Sequence, residues 1–332
     1  MLRQACHIQH IGVVVALVVA CGTAQAQLFS NGSASPSTPA LALVNQTGNN
    51  TTAPGTSQWS EVASVNALLA NSLAGVACHA DQTDASGGVR LADDFTIPTG
   101  QTWRLAGVQL FAYQPGATSA AVASATLRIW SGVPGEAGSS VVFGDTNVNR
   151  LSSVTAMDAY RVFTTTVGPA IMSPDTSRRL HAVTLNAQVT LEPGTYWLDW
   201  QLSSSSSNAP VFVVPVTVSG TRTLPSWNAK LFADGVWTTV NDAGKPEGTT
   251  DAAQDIAFVL LGSPGVQCDS IDFNRNDVYP EDQDVIDFFQ VLAGSACPYA
   301  EPCDIDFNNN DVYPEDQDVI DFFNTLAGGV CG

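Results

Sequence analysis

Residues 272–289 read DFNRNDVYPEDQDVIDFF and residues 306–323 read DFNNNDVYPEDQDVIDFF, so the chain repeats one segment after 34 positions. Each copy opens with carboxylate and amide side chains and closes with a more apolar run that is predicted to be helical. A loop rich in oxygen atoms that leads into a helix is typical of calcium sites, because Ca²⁺ is a hard cation that prefers oxygen ligands. The repeat therefore predicts two calcium sites near the C-terminal end of the sequence.

The expected ligands follow from the geometry of such a loop. Side chains at positions 1, 3 and 5, the carbonyl at position 7 and a carboxylate at the start of the helix converge on the ion. Glutamine stands at the usual twelfth position in both copies, so the next residue, an aspartate, is expected to close the site. The predicted ligands are Asp272, Asn274, Asn276, Val278 and Asp284 in the first copy, and Asp306, Asn308, Asn310, Val312 and Asp318 in the second.

The phase of the predicted helices supports this assignment. Apolar residues recur at i, i+3, i+4 and i+7, the spacing of one helical face. In the first copy they are Val285, Phe288, Phe289 and Leu292, and in the second they are Val319, Phe322, Phe323 and Leu326. On the same helices, Asp287 and Asp321 are expected to face solvent.

Two Asp-x-Asn-x-Asn loops, each followed by one helix, resemble a type I dockerin over residues 266–332. The flanking cysteines and the Phe-Phe-x-x-Leu-Ala-Gly endings are similar to the cysteine-containing dockerin-like tails that anchor exported proteins of planctomycete-type bacteria. The resemblance implies an anchoring module with two calcium ions as cofactors. It also implies a cohesin-like or other cell-surface partner.

The sequence departs from the dockerin pattern at two kinds of position. Asp277 and Asp311 stand at position 6, where the family has glycine, and asparagine replaces aspartate at position 5. Both changes imply weaker or distorted calcium coordination. At the positions where cellulosomal dockerins meet cohesin, this chain has Glu281-Asp282 and Glu315-Asp316, so cohesin binding is not carried over.

Four of the seven cysteines, Cys268, Cys297, Cys303 and Cys331, bracket the two repeats. An even set with regular spacing predicts disulfides in an exported protein. One bridge within each repeat, Cys268–Cys297 and Cys303–Cys331, is favoured, and a Cys268–Cys331 clasp is the alternative. The spacings do not match zinc motifs, and the region contains no histidine.

The N-terminal residues 1–26 have the features of a signal peptide. Arg3 precedes the apolar run Ile11–Ala20, and Ala24-Gln25-Ala26 fits a cleavage site between small residues. The apolar run is too short to span a bilayer, and the sequence predicts no transmembrane segment. We therefore expect a secreted or cell-surface protein. A lipid attached to Cys21 is the alternative, because Val18–Cys21 resembles a lipoprotein cleavage box.

The chain before the repeats is predicted to be mainly β. Residues 27–59 are rich in Ser, Thr, Asn, Gly and Pro and are expected to form a disordered linker. Residues 60–262 contain short runs of period-2 alternation between turns, such as Thr102–Tyr113 and Thr195–Gln201. They predict an antiparallel, jelly-roll-like β-sandwich ectodomain. Residues 263–332 then form a small α-helical calcium-binding module.

The charge and the motifs limit the function. The net charge is −19, and residues 266–332 carry −14 of it, which argues against nucleic acid as a partner. No catalytic residue is predicted: His79 beside Cys78 lies on an extended stretch where neighbouring side chains point apart. Asp93-Asp94 and Asp199 are the acids in aromatic-rich strands, and the first two are expected to bind a structural ion or cap a strand.

We expect an exported, non-catalytic protein that displays its β-sandwich through the calcium-dependent anchor. The alternative is a carbohydrate-binding or glycan-degrading component that the same module brings to a scaffold. Most tryptophans are expected in the core, with Trp197 or Trp200 exposed because the two face opposite sides of one strand. An exposed aromatic row or a carboxylate pair in a cleft would favour the glycan function.

Overall fold

The computed structural model describes residues 26–31, 41, 43–46, 51–61, 73–79, 88–117, 122–162, 176–204, 210–218, 222–243, 250–265, 268–299, 303–309, 312–329 and 331. Apart from Ala26, the predicted signal peptide and Cys21 lie outside these residues. Within the described part, the chain is mainly β and has two short helices. No helix there is both long enough and apolar enough to cross a membrane.

The described strands are numbered in chain order. They are β1 (Ala26–Ser30), β2 (Leu43–Val44), β3 (Gln58–Glu61), β4 (Val76–Ala77), β5 (Arg90–Ile97), β6 (Thr102–Tyr113), β7 (Val122–Ser131), β8 (Ser140–Asp145), β9 (Leu151–Val162), β10 (Arg179–Leu191), β11 (Gly194–Ser204), β12 (Phe212–Val213), β13 (Lys230–Ala233), β14 (Val236–Thr239), β15 (Asn241–Asp242), β16 (Ala252–Ala253) and β17 (Phe258–Gly265). The helices are α1 (Asp282–Leu292) and α2 (Asp316–Leu326).

Two large sheets and the two-stranded sheet β15-β16 form the described β part of the molecule. The larger has the order β1-β17-β6-β10-β9-β3-β2, with β12 beside β6 and β4 beside β12. The smaller has the order β14-β13-β5-β11-β7-β8. The strand pairs are antiparallel except β3 with β9, which is parallel, so the larger sheet is mixed. This arrangement is consistent with the expected β-sandwich.

The core contains apolar residues from both sheets. Leu91 and Trp200 of the smaller sheet belong to the same buried cluster as Val108, Leu110 and Phe258 of the larger sheet. Along β6, Val108, Leu110 and Ala112 of this cluster recur at every second position, because successive side chains of a strand point to opposite faces. The period-2 alternation noted in the sequence therefore marks the faces that meet in the core.

The expected disordered linker at residues 27–59 is wrong for its described parts. Ala26–Ser30 is strand β1 and pairs with β17, while β2 pairs with β3. Phe29 lies 5.6 Å from Phe258 between ring centroids, and Trp59 is buried. Polar composition predicts disorder because little apolar area can be buried, but here a few apolar side chains and a free sheet edge are enough to order the chain.

The C-terminal repeats have a core of their own, formed by four phenylalanines. Phe273 and Phe288 of the first repeat pack with Phe307 and Phe322 of the second, and all four are buried. The rings of Phe288 and Phe322 are stacked, with centroids 4.3 Å apart. The two helices therefore meet through equivalent side chains.

The disulfides differ from the favoured pairing within each repeat. Cys268 is bonded to Cys331, and Cys297 is bonded to Cys303. The start of the first repeat lies beside the second, since the Asp269 amide donates to the Phe307 carbonyl over 2.8 Å. Packing one repeat against the other thus brings the two ends of the module together. The clasp named as the alternative is the observed bridge.

Candidate metal centres

The first loop folds around Asp272. Its Oδ1 accepts the Asn276 amide N–H and its Oδ2 accepts the Asp277 amide N–H, each over 3.0 Å. Further along, Asn274 Oδ1 accepts the Asn276 amide and Asn276 Oδ1 accepts the Val278 amide. Asp277 takes a φ of 63°, a left-handed conformation that aspartate tolerates better than most residues. The loop therefore turns without the glycine found in the dockerin family.

Asp284, the expected closing ligand, lies next to this loop. Asp284 is fully buried, and its carboxylate lies 3.4 Å from the Asn274 amide nitrogen and 3.3 Å from that of Glu281. The structure also brings Glu281 to the loop. Its Oε1 lies 2.5 Å from Asn276 Nδ2 and 3.3 Å from Asn274 Nδ2.

The second loop repeats this arrangement where it is described. Asp306, Asn308 and Asp318 are all buried, and the Asn308 amide lies 3.4 Å from Asp318 Oδ1. The Glu315 amide donates to Asp318 Oδ2 over 3.1 Å. Asn310 lies outside the described residues. Val312, like its counterpart in the first loop, has an exposed side chain, and its expected contribution is the carbonyl alone.

Like charges gather around Asp318. Burial raises the pKa of its carboxyl, the amides of Glu315 and Asn308 lower it, and the charges of Asp306 and Glu315 raise it again. A cation among these oxygens would remove the repulsion and replace the lost hydration, which is the usual reason for such clusters. The residues present therefore fit a hard, oxygen-seeking cation such as Ca²⁺.

The expectation that Asp287 and Asp321 face solvent is wrong. Asp287 is 8% exposed and Asp321 is 0% exposed. A residue three positions after the closing aspartate lies on the same side of the helix, one turn farther on, and so remains beside the loop. By contrast, Asp282 and Asp316 in the first helical turns are exposed.

Sequence reasoning thus missed four acids around the two loops. The signal that could have found them is the spacing Glu-x-x-Asp-x-x-Asp, which places three acids on one helical face. The spacing consists of Glu281, Asp284 and Asp287 in the first copy and Glu315, Asp318 and Asp321 in the second, and the middle aspartate of each set is the expected ligand.

Asp321 also lies close to the sulfur atoms of Cys268 and Cys331. Three such groups could hold a soft metal if the cysteines were free. Because these two cysteines are joined in a disulfide, they offer no thiolate ligand. The group is therefore not a candidate zinc site in the oxidised protein.

A second acidic cluster lies inside the β-sandwich. Asp93 is fully buried, and its Oδ2 accepts from Asn31 Nδ2 over 2.8 Å and from the Ile256 amide over 2.7 Å. Burial, and then the charge of Asp255, raise the pKa of Asp93 well above its usual range. Burial and the charge of Asp94 raise the pKa of Asp255 to about 7. Asp93 lies in the middle of β5, so it does not cap a strand start.

Asp199 belongs to a separate network. Its carboxylate accepts from Arg90 Nε and Arg128 Nε, each over 2.7 Å, and from Trp130 Nε1 over 3.0 Å. Asp199 pairs in register with Ala92, whereas Asp93 pairs with Leu198, so the two acids point to opposite faces of the sheet. They do not form the facing carboxylate pair of a glycosidase.

The described part of the β-sandwich shows no exposed aromatic row. Five tryptophans are buried, and Trp130 and Trp237 are half-buried. The expectation that Trp197 or Trp200 is exposed is wrong, because both faces of their strand are covered. A small cavity beside His181 has a volume of about 10 Å³, enough for a water molecule but not for a sugar.

Comparisons with protein-family models, with curated proteins and with solved structures found no match for this chain.

Proposed function

We propose that the C-terminal repeats bind two calcium ions and act as a dockerin-like docking module that attaches the β-sandwich to a protein of the cell surface or of an extracellular complex. The residues that would hold the ions are the loop oxygens and helix carboxylates described above. Calcium would supply the charge that draws these oxygens together and stabilises the module.

The observation that carries this proposal is a duplicated set of exposed apolar side chains, here called the apolar patch. Its members are Val278, Tyr279, Ile286 and Phe289 in the first repeat, and Val312, Tyr313, Ile320 and Phe323 in the second. Tyr279 is 60% exposed and Tyr313 is 61% exposed. The rings of Phe289 and Phe323 lie 5.9 Å apart, so the two halves meet. Exposed apolar side chains that recur in both repeats and meet at Phe289 and Phe323 support an interaction surface here.

The net charge of the repeats supports one kind of partner. Residues 266–332 carry a net charge of −14, which two calcium ions would reduce only in part. A complementary surface is therefore apolar at its centre and rimmed by lysine or arginine. This chemistry fits a basic protein surface, and the acidic residues around the patch would repel an anionic lipid surface.

The β-sandwich is the displayed part in this proposal, and display requires no catalytic group. The buried tryptophans and the separated acids Asp93 and Asp199 support display over the alternative, a glycan-binding or glycan-degrading component. The alternative would need a sugar-sized surface with exposed aromatic rings.

The test measures binding of the labelled full-length chain to cell envelopes of the organism that exports it. We expect saturable binding in calcium, loss of binding in EDTA, and loss in a Tyr279→Ser/Tyr313→Ser variant. The matched control is Val236→Ser, which removes an equally exposed apolar side chain from the β-sandwich and should leave binding unchanged. Binding that survives both EDTA and the tyrosine substitutions would contradict the proposal.

A further inference from the structure

Asp287 and Asp321 make equivalent contacts in the two repeats. Asp287 Oδ2 lies 3.3 Å from Asn274 Nδ2, and Asp321 Oδ2 lies 3.1 Å from Asn308 Nδ2. The other carboxylate oxygen is held from outside the loop. Gln283 and Gln317, one helical turn earlier, donate to Oδ1 of these aspartates over 2.9 and 3.0 Å. Each aspartate thus points one oxygen at a predicted ligand.

Asn308 provides a second observation at the same place. The residue is 1% exposed, and its Oδ1 has no hydrogen-bond partner among the described residues. A buried amide oxygen without a donor is unfavourable. Rotating the amide by half a turn exchanges its two ends and places Oδ1 opposite Asp321 Oδ2. Two oxygens in contact are repulsive unless a cation lies between them.

The atoms that face each other are hydrogen-bonded in this structure. Asn308 Nδ2 lies 3.1 Å from Asp321 Oδ2, and Asn274 Nδ2 lies 3.3 Å from Asp287 Oδ2. Two oxygens that bind one Ca²⁺ at about 2.4 Å and at right angles lie about 3.4 Å apart. If each amide turned its oxygen toward the aspartate, the separations would be close to that value, and in the first loop the ion would replace the hydrogen bond from the Asn276 amide to Asn274 Oδ1.

The charge of the loop gives a reason for an additional ligand. Positions 3 and 5 hold asparagine in both copies, so only the aspartate at position 1 contributes a negative charge from the first half of each loop. Calcium affinity rises with the number of charged ligands. A carboxylate one turn beyond the closing aspartate restores the missing charge.

We propose that Asp287 and Asp321 are additional calcium ligands, so that each helix provides two carboxylates to its ion, from Asp284 with Asp287 and from Asp318 with Asp321. This inference rests on the proposed calcium sites and names residues that the loop pattern does not include. It predicts that each ion is held at the side of its helix as well as at its start.

The first measurement is calcium affinity of the full-length, oxidised chain by calorimetry. We expect the Asp287→Asn/Asp321→Asn variant to bind calcium at least about tenfold more weakly, because each site loses one charged ligand. The matched control is Asp282→Asn/Asp316→Asn, which removes the same charge from exposed positions of the same helices. The control should keep its affinity within about twofold, since exposed charges act weakly.

The second measurement separates a ligand from a residue that only positions Asn274 and Asn308. Europium(III), which binds oxygen ligands as Ca²⁺ does, reports its number of coordinated waters through luminescence lifetimes in H₂O and D₂O. We expect the Asp287→Ala/Asp321→Ala variant to gain about one coordinated water per ion, because water takes the vacated position. A positioning role would leave this number unchanged.

The outcomes distinguish this inference from the proposed function. No calcium binding by the unaltered chain would overturn both. If the unaltered chain binds calcium and the Asp287→Asn/Asp321→Asn variant binds it with the same affinity, this inference alone is overturned. Weaker binding without an added water in the alanine variant would also overturn it. If the double variant lost its helical signal at 222 nm, the single Asp287→Asn variant, with its second loop intact, gives the same comparison.

Discussion

At the residue scale, Asp199 illustrates how a buried charge is tolerated. Its side chain is fully buried but faces two arginines, and the Arg128 guanidinium also lies 4.8 Å from the centre of the Trp130 ring. Removing one member of such a network leaves the other charges without a partner, and this costs more than the network contributes in its intact form.

We therefore expect Asp199→Asn to lower the free energy of unfolding by about 3 to 5 kcal/mol. Urea unfolding followed by tryptophan fluorescence would measure it, since all seven tryptophans precede residue 266. The control is Asp158→Asn. It breaks the ion pair between Asp158 and Arg179, in which the Asp158 side chain is 72% exposed. It should cost less than about 1 kcal/mol. Equal effects of the two substitutions would contradict the buried network.

The acidic cluster of Asp93 and Asp255 makes stability depend on pH. Burial raises both pKa values, that of Asp255 to about 7, so the folded protein holds a proton that an unfolded aspartate releases near pH 4. This contribution is fully present below about pH 4 and is lost as the pH rises toward 7.

We expect the free energy of unfolding of the β-sandwich, measured in EDTA by tryptophan fluorescence, to fall between pH 5 and pH 7 relative to the Asp255→Asn variant. The difference should change by about 1.4 kcal/mol for each pH unit. The amide variant has no proton to release at position 255, while Asp93 is present in both proteins, so the difference between the profiles reports Asp255. Parallel pH profiles of the two proteins would show that Asp255 titrates normally.

At the element scale, the two disulfides close loops of very different length. Cys268 and Cys331 are 63 residues apart, whereas Cys297 and Cys303 are 6 apart. Closing a longer loop removes more conformational freedom from the unfolded chain. The long clasp should therefore contribute more to the stability of the helical module.

We expect a Cys268→Ser/Cys331→Ser variant to be about 2 kcal/mol less stable than a Cys297→Ser/Cys303→Ser variant. Both proteins would be unfolded in urea with saturating calcium and followed by the helical signal at 222 nm. Each variant lacks one bridge, so the difference in stability between them compares the two bridges directly. If the short bridge proved more important, local order around residues 297–303 would be the stabilising factor instead.

The helices show how well the spacing of apolar residues predicts which side chains are buried. It correctly places Phe288 and Phe322 in the core of the repeats, where they stack. It also assigns Phe289 and Phe323 to that core, but both are exposed. Two helices that cross bury only a narrow stripe of each other, so the edge of an apolar face remains available for another contact.

At the scale of the whole molecule, the β-sandwich and the repeats have separate hydrophobic clusters. Arg104 Nη2 donates to the Cys331 carbonyl and links the two parts. Separate cores imply that calcium bound at the proposed sites would stabilise mainly the repeats. A ligand at a hundred times its dissociation constant stabilises the folded form by about 2.7 kcal/mol.

Removing calcium with EDTA should thus lower the thermal midpoint of the helical signal at 222 nm and leave the midpoint of tryptophan fluorescence within about 2 °C of its value in calcium. Magnesium at the same concentration is the control, because it binds such oxygen-rich loops poorly. A common shift of both signals would show that the two parts unfold as one unit.

The sequence by itself determined the features that depend on neighbouring residues. Alternation marked Thr102–Tyr113 as a strand with one face in the core, and Asp284, expected from the spacing of the loop oxygens, lies beside Asn274. Strand and helix periods are local properties, so a short stretch of sequence carries them.

Only the tertiary structure decided the features that join distant parts of the chain. The Cys268–Cys331 bridge, the pairing of Ala26–Ser30 with β17 and the burial of Asp321 each depend on which segments meet in space. Composition suggested disorder near the start of the chain, and helical phase suggested solvent around Asp321. The first inference failed because burial is set by what packs against a residue, which composition does not show. The second failed although the i+3 spacing from Asp318 places Asp321 on the side of the helix that faces the loop, because the spacing does not show what covers the side chain.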